Sequence, residues 1–347
     1  MTSIQICMNN NFFKNKRILV TGGTGFVGSH LVQQLITLGA RVVVPYRSID
    51  PYGYFATEAL SERVVMVQAD LRDRQRIVEV INRYEITEIF HLGAHAVVPT
   101  AYFNPQETLE TNIMGTVHIL EAARLLPQIR SVVFASSDKA YGSSDTPYVE
   151  TDPLVGSHPY DVSKSAADLI CQMYAKTYDV PVAITRFGNI YGEGDTHPSR
   201  VIPGILMALA NQETFVIRST GQYKRAYLSV TDVVEGYLRL AMTLPATRGE
   251  AFNFGSPEVY SVLELISIIE QTVHVSVPYT IANTAVGEIE SQELSYEKAK
   301  THLGWQPKHT LASSIAAMYA WYTRHQKPIE HGGNNSGNLR SQTIFTL

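Results

Sequence analysis

A glycine-rich turn between a short apolar strand and an amphipathic helix constrains the fold of this chain more than any other feature. The strand signal covers 17–21 and the helical pattern covers 29–38, with Gly22, Gly25 and Gly28 between them. Glycine lets a backbone turn tightly and approach a pyrophosphate closely, and a helix N-terminus offers free N–H groups and a positive dipole end to phosphates. The order of strand, turn and helix therefore favours a dinucleotide-binding turn over an ordinary strand-to-helix connection.

Strand and helix signals alternate through the first half of the chain. Short β-branched runs recur at 41–44, 64–68, 88–92, 131–136 and 181–187. Longer helical patterns lie between them at 72–83, 106–126 and 160–178. Because alternating strands and helices build parallel sheets with helices on both faces, the sequence predicts an α/β, Rossmann-like doubly wound parallel sheet.

The pattern becomes less regular in the second half, where glycine and proline interrupt it. We expect a main dinucleotide-binding domain over residues 15–190, to which 226–258 returns. A smaller α/β substrate-binding lobe is expected from 191–225 and 259–330. The remaining residues, 331–347, contain Gly-Gly-Asn-Asn-Ser-Gly and are predicted to form a flexible tail.

The net charge and the cysteine content limit the kinds of partner and the cellular compartment that we expect for this protein. The formal net charge is −4, which gives no broad basic field for nucleic acid or an anionic membrane surface. The two cysteines, Cys7 and Cys171, form neither a disulfide framework nor a metal-ligand spacing, and the apolar neighbours of Cys171 predict a packed thiol. No stretch approaches the length of a membrane span. We therefore expect a cytoplasmic protein without metal, nucleic-acid or membrane partners.

The end of the second strand is the position at which such sheets select their dinucleotide. An acidic residue there binds the ribose 2′-hydroxyl of NAD, whereas an arginine suits the 2′-phosphate of NADP. This chain has Tyr46 followed by Arg47, which favours NADP, with NAD as the alternative and a solvated surface role for Arg47 also open. Asp70, after the third strand, suits an adenine amino group or the cap of the next helix.

Two segments carry candidate catalytic groups. Tyr160 and Lys164 are four residues apart in a helical pattern, so both lie on one helix face. An ammonium beside a phenol favours the phenolate and lowers the phenol pKa towards the range of a general base. Ser137, Asp138 and Lys139 follow a strand, at the carboxyl edge where ligands of parallel sheets bind.

Six motifs, at 21–28, 111–116, 136–142, 160–164, 186–192 and 225–232, follow one another in an order and at spacings that are typical of a known family. Over about residues 17–325 the sequence thereby resembles the extended short-chain dehydrogenase/reductase family, the NAD(P)-dependent epimerases and dehydratases of nucleotide sugars. The Ser-Asp-Lys triplet resembles CDP-glucose 4,6-dehydratases and inverting UDP-N-acetylglucosamine dehydratases. The segments 107–116 and 192–195 are most similar to the CDP-glucose group.

This resemblance implies a 4,6-dehydratase, which oxidises a nucleotide-linked hexose at C4, removes water across C5–C6 and returns hydride to C6. Tyr160 would take the proton of the C4 hydroxyl, and Ser137 would hydrogen-bond that oxygen. Asp138 would protonate the leaving C6 hydroxyl, and Lys139 would move the C5 proton. An epimerase and a non-catalytic nucleotide-binding regulator remain alternatives, as does a structural role in which Asp138 caps the turn and Lys139 points to water.

The resemblance also implies binding residues and an assembly. A cofactor site is expected from Gly22, Thr24, Gly25, Phe26, Val27, Gly28, Arg47, Asp70, Leu71, Leu92, Ala94, Asn112, Tyr160 and Lys164. A nucleotide-diphosphate sugar is expected to meet His95, Ser137, Asn189, Arg200 and Arg225, although a packing or backbone role suits His95 better than catalysis. The two long helices are expected to pair into a homodimer.

Two positions depart from the family pattern. Gly93 stands where relatives usually have alanine, a change expected to affect backbone freedom. The segment 284–288 lacks the arginine that many relatives place on the diphosphate. The missing arginine leaves the base of the nucleotide and its binding mode open. The sequence also does not specify N-acetylation of the sugar or the stereochemistry at C5.

Overall fold

The computed structural model describes residues 11–325 except 143, 145, 245 and 285–290. Cys7, the predicted tail at 331–347 and most of the segment 284–288 lie outside the described residues. Within the described part, no helix is both long and apolar enough to cross a bilayer.

The strands form one large sheet and two small ones. In chain order they are β1 (Arg17–Thr21), β2 (Arg41–Tyr46), β3 (Val65–Gln68), β4 (Glu88–His91), β5 (Ser131–Ala135), β6 (Val182–Phe187), β7 (Asn189–Tyr191), β8 (Phe215–Ile217), β9 (Lys224–Ser229), β10 (Ala251–Phe254), β11 (Val259–Tyr260), β12 (Tyr279–Ile281) and β13 (Ser291–Gln292). The large sheet has the order β10-β6-β5-β4-β1-β2-β3, and every neighbouring pair in it is parallel. The predicted doubly wound α/β fold is confirmed.

The helices connect these strands, and some pack against the large sheet while others pack against the small ones. They are α1 (Phe26–Thr37), α2 (Tyr54–Thr57), α3 (Arg74–Arg83), α4 (Val98–Phe103), α5 (Pro105–Leu109), α6 (Gly115–Leu125), α7 (Pro159–Tyr178), α8 (Val201–Ala210), α9 (Val230–Thr243), α10 (Val262–Val273), α11 (Glu297–Leu303) and α12 (Leu311–Arg324). A π-helical turn, Glu110–Met114, joins α5 to α6 inside the predicted helix 106–126. A 3₁₀ turn, Asp138–Tyr141, follows β5.

Side-chain alternation along the strands explains why both sheet faces carry helices. Ile18 and Val20 of β1 point into a core cluster shared with α1 and α9, whereas Leu19 points into a second cluster shared with α3, α6 and α7. Such strands read as continuous apolar runs because both faces are buried. Cys171 packs in the second cluster with 0% exposure, as predicted, and burial raises the pKa of its thiol.

The small sheets lie in the second half of the chain. One joins β9 to β7, β11 and β13, and the other pairs β8 with β12. The sequence assigned 226–258 to the main domain, but only β10 of that segment enters the large sheet. β9 pairs instead with β7, β11 and β13. Its Tyr227 is buried in a third cluster with α8, α10 and α12, and its Leu228 is buried in the first cluster. The division into two lobes itself stays a prediction.

Candidate active site

The parallel sheet brings the predicted site residues to one edge. Because neighbouring strands run in the same direction, the loops that follow β1 to β6 open on the same side. These loops carry the glycine turn, Arg47, Asp70, the 92–95 segment, the Ser-Asp-Lys triplet and Asn189. The end of β10 adds Gly255 and Ser256 beside them.

The glycine turn has the backbone that a pyrophosphate requires. Gly22 has φ +69°, in the left-handed region that favours glycine. A Cβ at Gly28 would lie 2.1 Å from the carbonyl oxygen of Gly22, so no larger residue fits at this crossing. Helix α1 starts with neither a capping side chain nor an acidic residue in its first turn. Its N–H groups are therefore available to an anion, and the turn fits a dinucleotide.

The other predicted cofactor residues lie in the glycine turn, at the start of α1 and in the loop after β4. Thr24 Oγ1 donates to the Ser48 carbonyl at 3.2 Å and so joins the turn to the loop after β2. Phe26 stands edge-on to His30, and Val27 packs on the first core cluster. Leu92 and Ala94 are half-buried in the loop after β4.

Neighbouring atoms approach the Gly93 backbone so closely that little space is left for a side chain. Its φ is not in the left-handed region, so the expected effect on backbone freedom is wrong. A Cβ there would lie 2.8 Å from Leu71 Cδ1 and 3.1 Å from Thr21 Oγ1. A glycine at this position therefore lets the loop after β4 pack against Leu71 and the glycine turn.

Arg47 and Asp70 are both held in ion pairs. Arg47 Nη1 lies 3.1 Å from Glu107 Oε1, and its Nη2 lies 3.2 Å from His95 Nε2. Asp70 binds Arg72 Nη2 at 2.7 Å, and this guanidinium holds the pKa of Asp70 below its usual range. Asp70 does not cap the next helix, because Asp73 caps α3. Arg47 keeps 51% of its side chain exposed, so a solvated surface role for it stays open beside these contacts.

Asn112 connects the loop after β4 to α7, the helix that carries the candidate base. Its Oδ1 accepts the His95 backbone N–H at 2.7 Å, and its Nδ2 donates to Ser163 Oγ at 2.9 Å. Asn112 lies in the π-helical turn and has 2% exposure. Such single-turn π segments are frequent at functional sites. His95 therefore has the expected backbone role, in addition to its contact with Arg47.

Sequence reasoning missed His91, which lies under the glycine turn. Its Nδ1 is 2.7 Å from Thr21 Oγ1 and its Nε2 is 3.1 Å from Thr116 Oγ1. Burial, reinforced by the charge of Lys164, lowers the pKa of His91 to about 3. His91 is therefore a neutral ring that links β1, β4 and α6.

Tyr160 and Lys164 lie together at the start of α7, but the phenol is not acidified. Lys164 has 5% exposure, its Nζ donates to the Ala135 carbonyl at 2.7 Å, and burial lowers its pKa to about 8. Burial raises the pKa of Tyr160 to about 12, and a hydrogen bond with Ser137 offsets this only in part. The expected lowering is thus wrong for the chain by itself, because Lys164 Nζ is 5.9 Å from the Tyr160 ring centroid and desolvation dominates.

The triplet after β5 forms a compact buried cluster. Ser137 Oγ donates to Asp138 Oδ1 at 3.0 Å and accepts the Lys139 backbone N–H at 3.2 Å, so Ser137 caps the 3₁₀ turn. Asp138 has 4% exposure and accepts Lys139 Nζ at 3.3 Å. Lys139 Nζ also donates to Gln292 Oε1. The structural alternative is wrong on both counts, since Asp138 is not the cap and Lys139 binds side chains.

The other candidate substrate residues, Asn189, Arg200 and Arg225, lie on or beside three different elements. Asn189 Nδ2 donates to the Ala226 carbonyl at 3.2 Å. Arg200 Nη1 pairs with the buried Asp195 at 2.8 Å, at the start of α8. Arg225 lies in β9 between β11 and β13. Asn189 and Asp138 line one cleft between the two sheets.

A cleft separates the edge of the large sheet from the sheet built on β9. The lining residues are Asp138, Gly188, Asn189, Ala226, Leu228, Phe254, Gly255, Ser256, Gln292 and Leu294. Asp138 therefore faces a space that both halves of the molecule enclose.

A buried ion pair supports this edge of the sheet and was also missed. Arg186 in β6 binds Asp168 of α7 through Nε at 2.8 Å and Nη2 at 2.9 Å, with exposures of 1% and 0%. Arg186 Nη1 donates to the Tyr141 hydroxyl at 2.5 Å, and this hydroxyl donates to Asn253 at 2.8 Å. A single arginine in an otherwise apolar strand was the available signal, because buried arginines need partners.

Replacing Asp168 with asparagine is expected to reduce the free energy of unfolding by about 3–5 kcal/mol, because Arg186 is left as an uncompensated buried charge. Urea denaturation followed by circular dichroism measures the change. The matched control is Glu79→Gln, which breaks an exposed pair with Arg76 and is expected to change stability by under about 1 kcal/mol. Equal small losses in both variants would contradict the role of the buried pair.

Comparison with known proteins places this geometry in a family. The family model of GDP-mannose 4,6-dehydratase matches residues 19–318. CDP-glucose 4,6-dehydratase of Salmonella typhimurium is 30% identical over 335 residues, which cover 91% of this chain and 92% of that protein. UDP-glucose 4-epimerase of Lacticaseibacillus casei is 29% identical over 326 residues, which cover 89% and 97%.

A solved structure shares the fold over nearly its whole length. The crystal structure of dTDP-glucose 4,6-dehydratase from Bacillus anthracis in complex with NAD superposes with a TM-score of 0.78 at 25% identity. The match covers 89% of this chain and 97% of that chain. The glycine turn, the Ser-Asp-Lys cluster and the match to the family model lead to one conclusion: the chain belongs to the GDP-mannose 4,6-dehydratase family.

Proposed function

We propose that the protein is a nucleotide-sugar 4,6-dehydratase that forms a 4-keto-6-deoxy sugar. The observation that carries the proposal is the contact of the buried Asp138 with the partly buried Lys139, beside Ser137 and Tyr160. Removal of water from C5–C6 needs an acid for the leaving hydroxyl and a base for the C5 proton, whereas inversion at C4 needs neither. A nucleotide-sugar 4-epimerase is the second candidate, and the likeness to UDP-glucose 4-epimerase favours it.

Tyr160, Ser137 and Lys164 act in the first step, the oxidation at C4. When bound, the oxidised nicotinamide supplies a hydride acceptor and a positive charge that favours the Tyr160 phenolate. Tyr160 then takes the proton of the C4 hydroxyl, while Ser137 Oγ donates to the same oxygen. Lys164, whose pKa is about 8, stays largely protonated at neutral pH and keeps positive charge near the phenol.

The elimination falls to the two residues after Ser137. The 4-keto group acidifies the C5 proton, which Lys139 accepts in its neutral form. Asp138 in its protonated form delivers a proton to the C6 hydroxyl, which leaves as water. Once hydride has returned to C6, Lys139 gives a proton back to C5, and this proton exchanges with solvent while Lys139 holds it. Tyr160 releases the proton of the C4 hydroxyl to solvent and Asp138 takes one up, so that each cycle releases one water and restores every residue. The 3.3 Å contact of Lys139 Nζ with Asp138 keeps the base and the acid at adjacent carbons.

For the cofactor we propose NAD(P), held by the glycine turn, and within that pair we favour NAD over the NADP expected from Arg47. Glu107 lies 3.1 Å from Arg47, and its carboxylate would repel a 2′-phosphate. The dTDP-glucose 4,6-dehydratase of similar fold contains NAD. The nucleotide released when the purified protein is denatured identifies the resident form.

We further propose a homodimer that pairs α6 and α7. These neighbouring helices expose large apolar side chains, among them Leu125 at 50%, Leu169 at 52% and Met173 at 42%. Adjacent exposed apolar residues are typical of interaction surfaces. Light scattering after size exclusion is expected to give twice the mass of one chain at micromolar concentration, and a monomeric mass would contradict the proposal.

The reaction itself is tested by incubating the protein with UDP-, CDP-, GDP- and dTDP-glucose. Mass spectrometry is expected to find a product that has lost one water. A product of unchanged mass with an inverted centre would favour the epimerase and reject the dehydratase. Binding of a nucleotide sugar without any product would favour the non-catalytic regulator.

A further inference from the structure

Gln292 connects the small sheet to the cluster after β5. It lies in β13, where it pairs with Arg225 of β9, and its exposure is 4%. Its Oε1 accepts a hydrogen bond from Lys139 Nζ across 153 positions of sequence. Lys139 Nζ is thus held from two sides, by Asp138 of the large-sheet edge and by Gln292 of the small sheet.

The other half of the Gln292 amide has no such partner. In the part of the chain that the structure describes, Nε2 is buried without a hydrogen-bond acceptor. Buried amide N–H groups almost always have an acceptor, because leaving one unsatisfied is unfavourable. Gln292 lines the cleft that also contains Asp138 and Asn189, so the unused donor lies where a ligand oxygen can accept from it.

The position of this donor limits what it can bind. Nε2 and Oε1 belong to one planar amide, and Oε1 is fixed on Lys139. An acceptor for Nε2 therefore sits close to Lys139 and Asp138. In the reaction proposed above, these two residues face C5 and C6 of the sugar. The acceptor that fits is an oxygen of the hexose.

We propose that Gln292 positions Lys139 through Oε1 and binds an oxygen of the hexose through Nε2, an inference that rests on the proposed dehydratase function. Strand β13 of the small sheet thereby contributes a residue that contacts the sugar, and the small sheet also encloses the cleft. Gln292 acts on the C5 proton transfer through Lys139, and acts on the substrate directly.

The test compares two substitutions, since each removes a different part of the amide. Gln292→Met removes donor and acceptor and is expected to slow deuterium uptake at C5 in D₂O by roughly 10- to 100-fold, the range for losing a hydrogen bond to a charged group. Its KM for the glucose nucleotide is expected to rise about 2- to 12-fold through loss of the neutral donor. C4 oxidation, followed by the absorbance of reduced nicotinamide, is expected to persist.

Gln292→Glu keeps an acceptor for Lys139 and removes the donor. It is expected to restore much of the exchange at C5 while the raised KM remains. The matched control is Gln271→Met, an exposed glutamine on α10, which is expected to leave all values unchanged. Thermal unfolding of each variant checks folding, and Gln292→Glu still decides the role of the donor if Gln292→Met does not fold.

Two outcomes separate the inference from the proposed function. Wild-type exchange and KM in either folded variant would overturn the role of Gln292 while leaving the dehydratase intact. If the unmodified protein removes water from none of the four glucose nucleotides, the proposed function fails instead. The dissociation constants of CDP-glucose and UDP-glucose, measured by calorimetry, then decide the donor role, and equal values for the unmodified protein and Gln292→Met would reject it.

Discussion

Replacing Tyr160 with phenylalanine is expected to lower kcat by about 10²- to 10⁴-fold, the usual contribution of a positioned general base. The substitution removes only the hydroxyl that takes the C4 proton, so the ring still fills its place at the start of α7. KM is expected to change little, because the hydroxyl acts mainly in the transition state. Turnover of the glucose nucleotide and formation of reduced nicotinamide measure the effect, and both are expected to fall together.

Tyr174→Phe provides the matched control for this substitution. Tyr174 lies on the same helix, but its hydroxyl binds Glu121 at 2.9 Å, away from the cluster after β5. It is expected to leave kcat unchanged. Retention of more than about a tenth of the wild-type turnover in Tyr160→Phe would reject the role of Tyr160 as the base.

Replacing Asp138 with asparagine is expected to uncouple the two halves of the reaction. Asparagine can keep the contacts to Ser137 and Lys139, but it cannot deliver a proton to the C6 hydroxyl. Loss of water is therefore expected to slow by about 10²- to 10⁴-fold, while oxidation at C4 continues and reduced nicotinamide accumulates. Mass spectrometry of the sugar and the absorbance of the nicotinamide follow the two steps separately.

The comparison for Asp138 is Asp179→Asn, at a side chain with 77% exposure near the end of α7. That variant is expected to show wild-type rates for both steps. Equal slowing of oxidation and water loss in Asp138→Asn would assign Asp138 a structural part in the site and would remove it as the acid.

Local patterns were sufficient to predict the main sheet. Its strands read as apolar runs because both faces are buried, and α1 and α7 were found within a few residues from their periodicity. The pairing of β9 with β7, β11 and β13 was not predicted, because it depends on segments distant in sequence. The π-helical turn was also missed, since the helical pattern continues through it and only the contacts of Asn112 reveal its use.

By itself the sequence determined the glycine turn, the spacing of Tyr160 and Lys164 on one helix, and the place of the Ser-Asp-Lys triplet at the carboxyl edge of the sheet. These features depend on residue types and on spacings of a few positions, and both can be read directly from the sequence. Tertiary structure alone decided the partners of the charged groups: Glu107 on Arg47, Asp168 on Arg186 and Gln292 on Lys139. It also decided the pKa of Tyr160, because desolvation depends on everything packed around the phenol and outweighs a lysine one helical turn away.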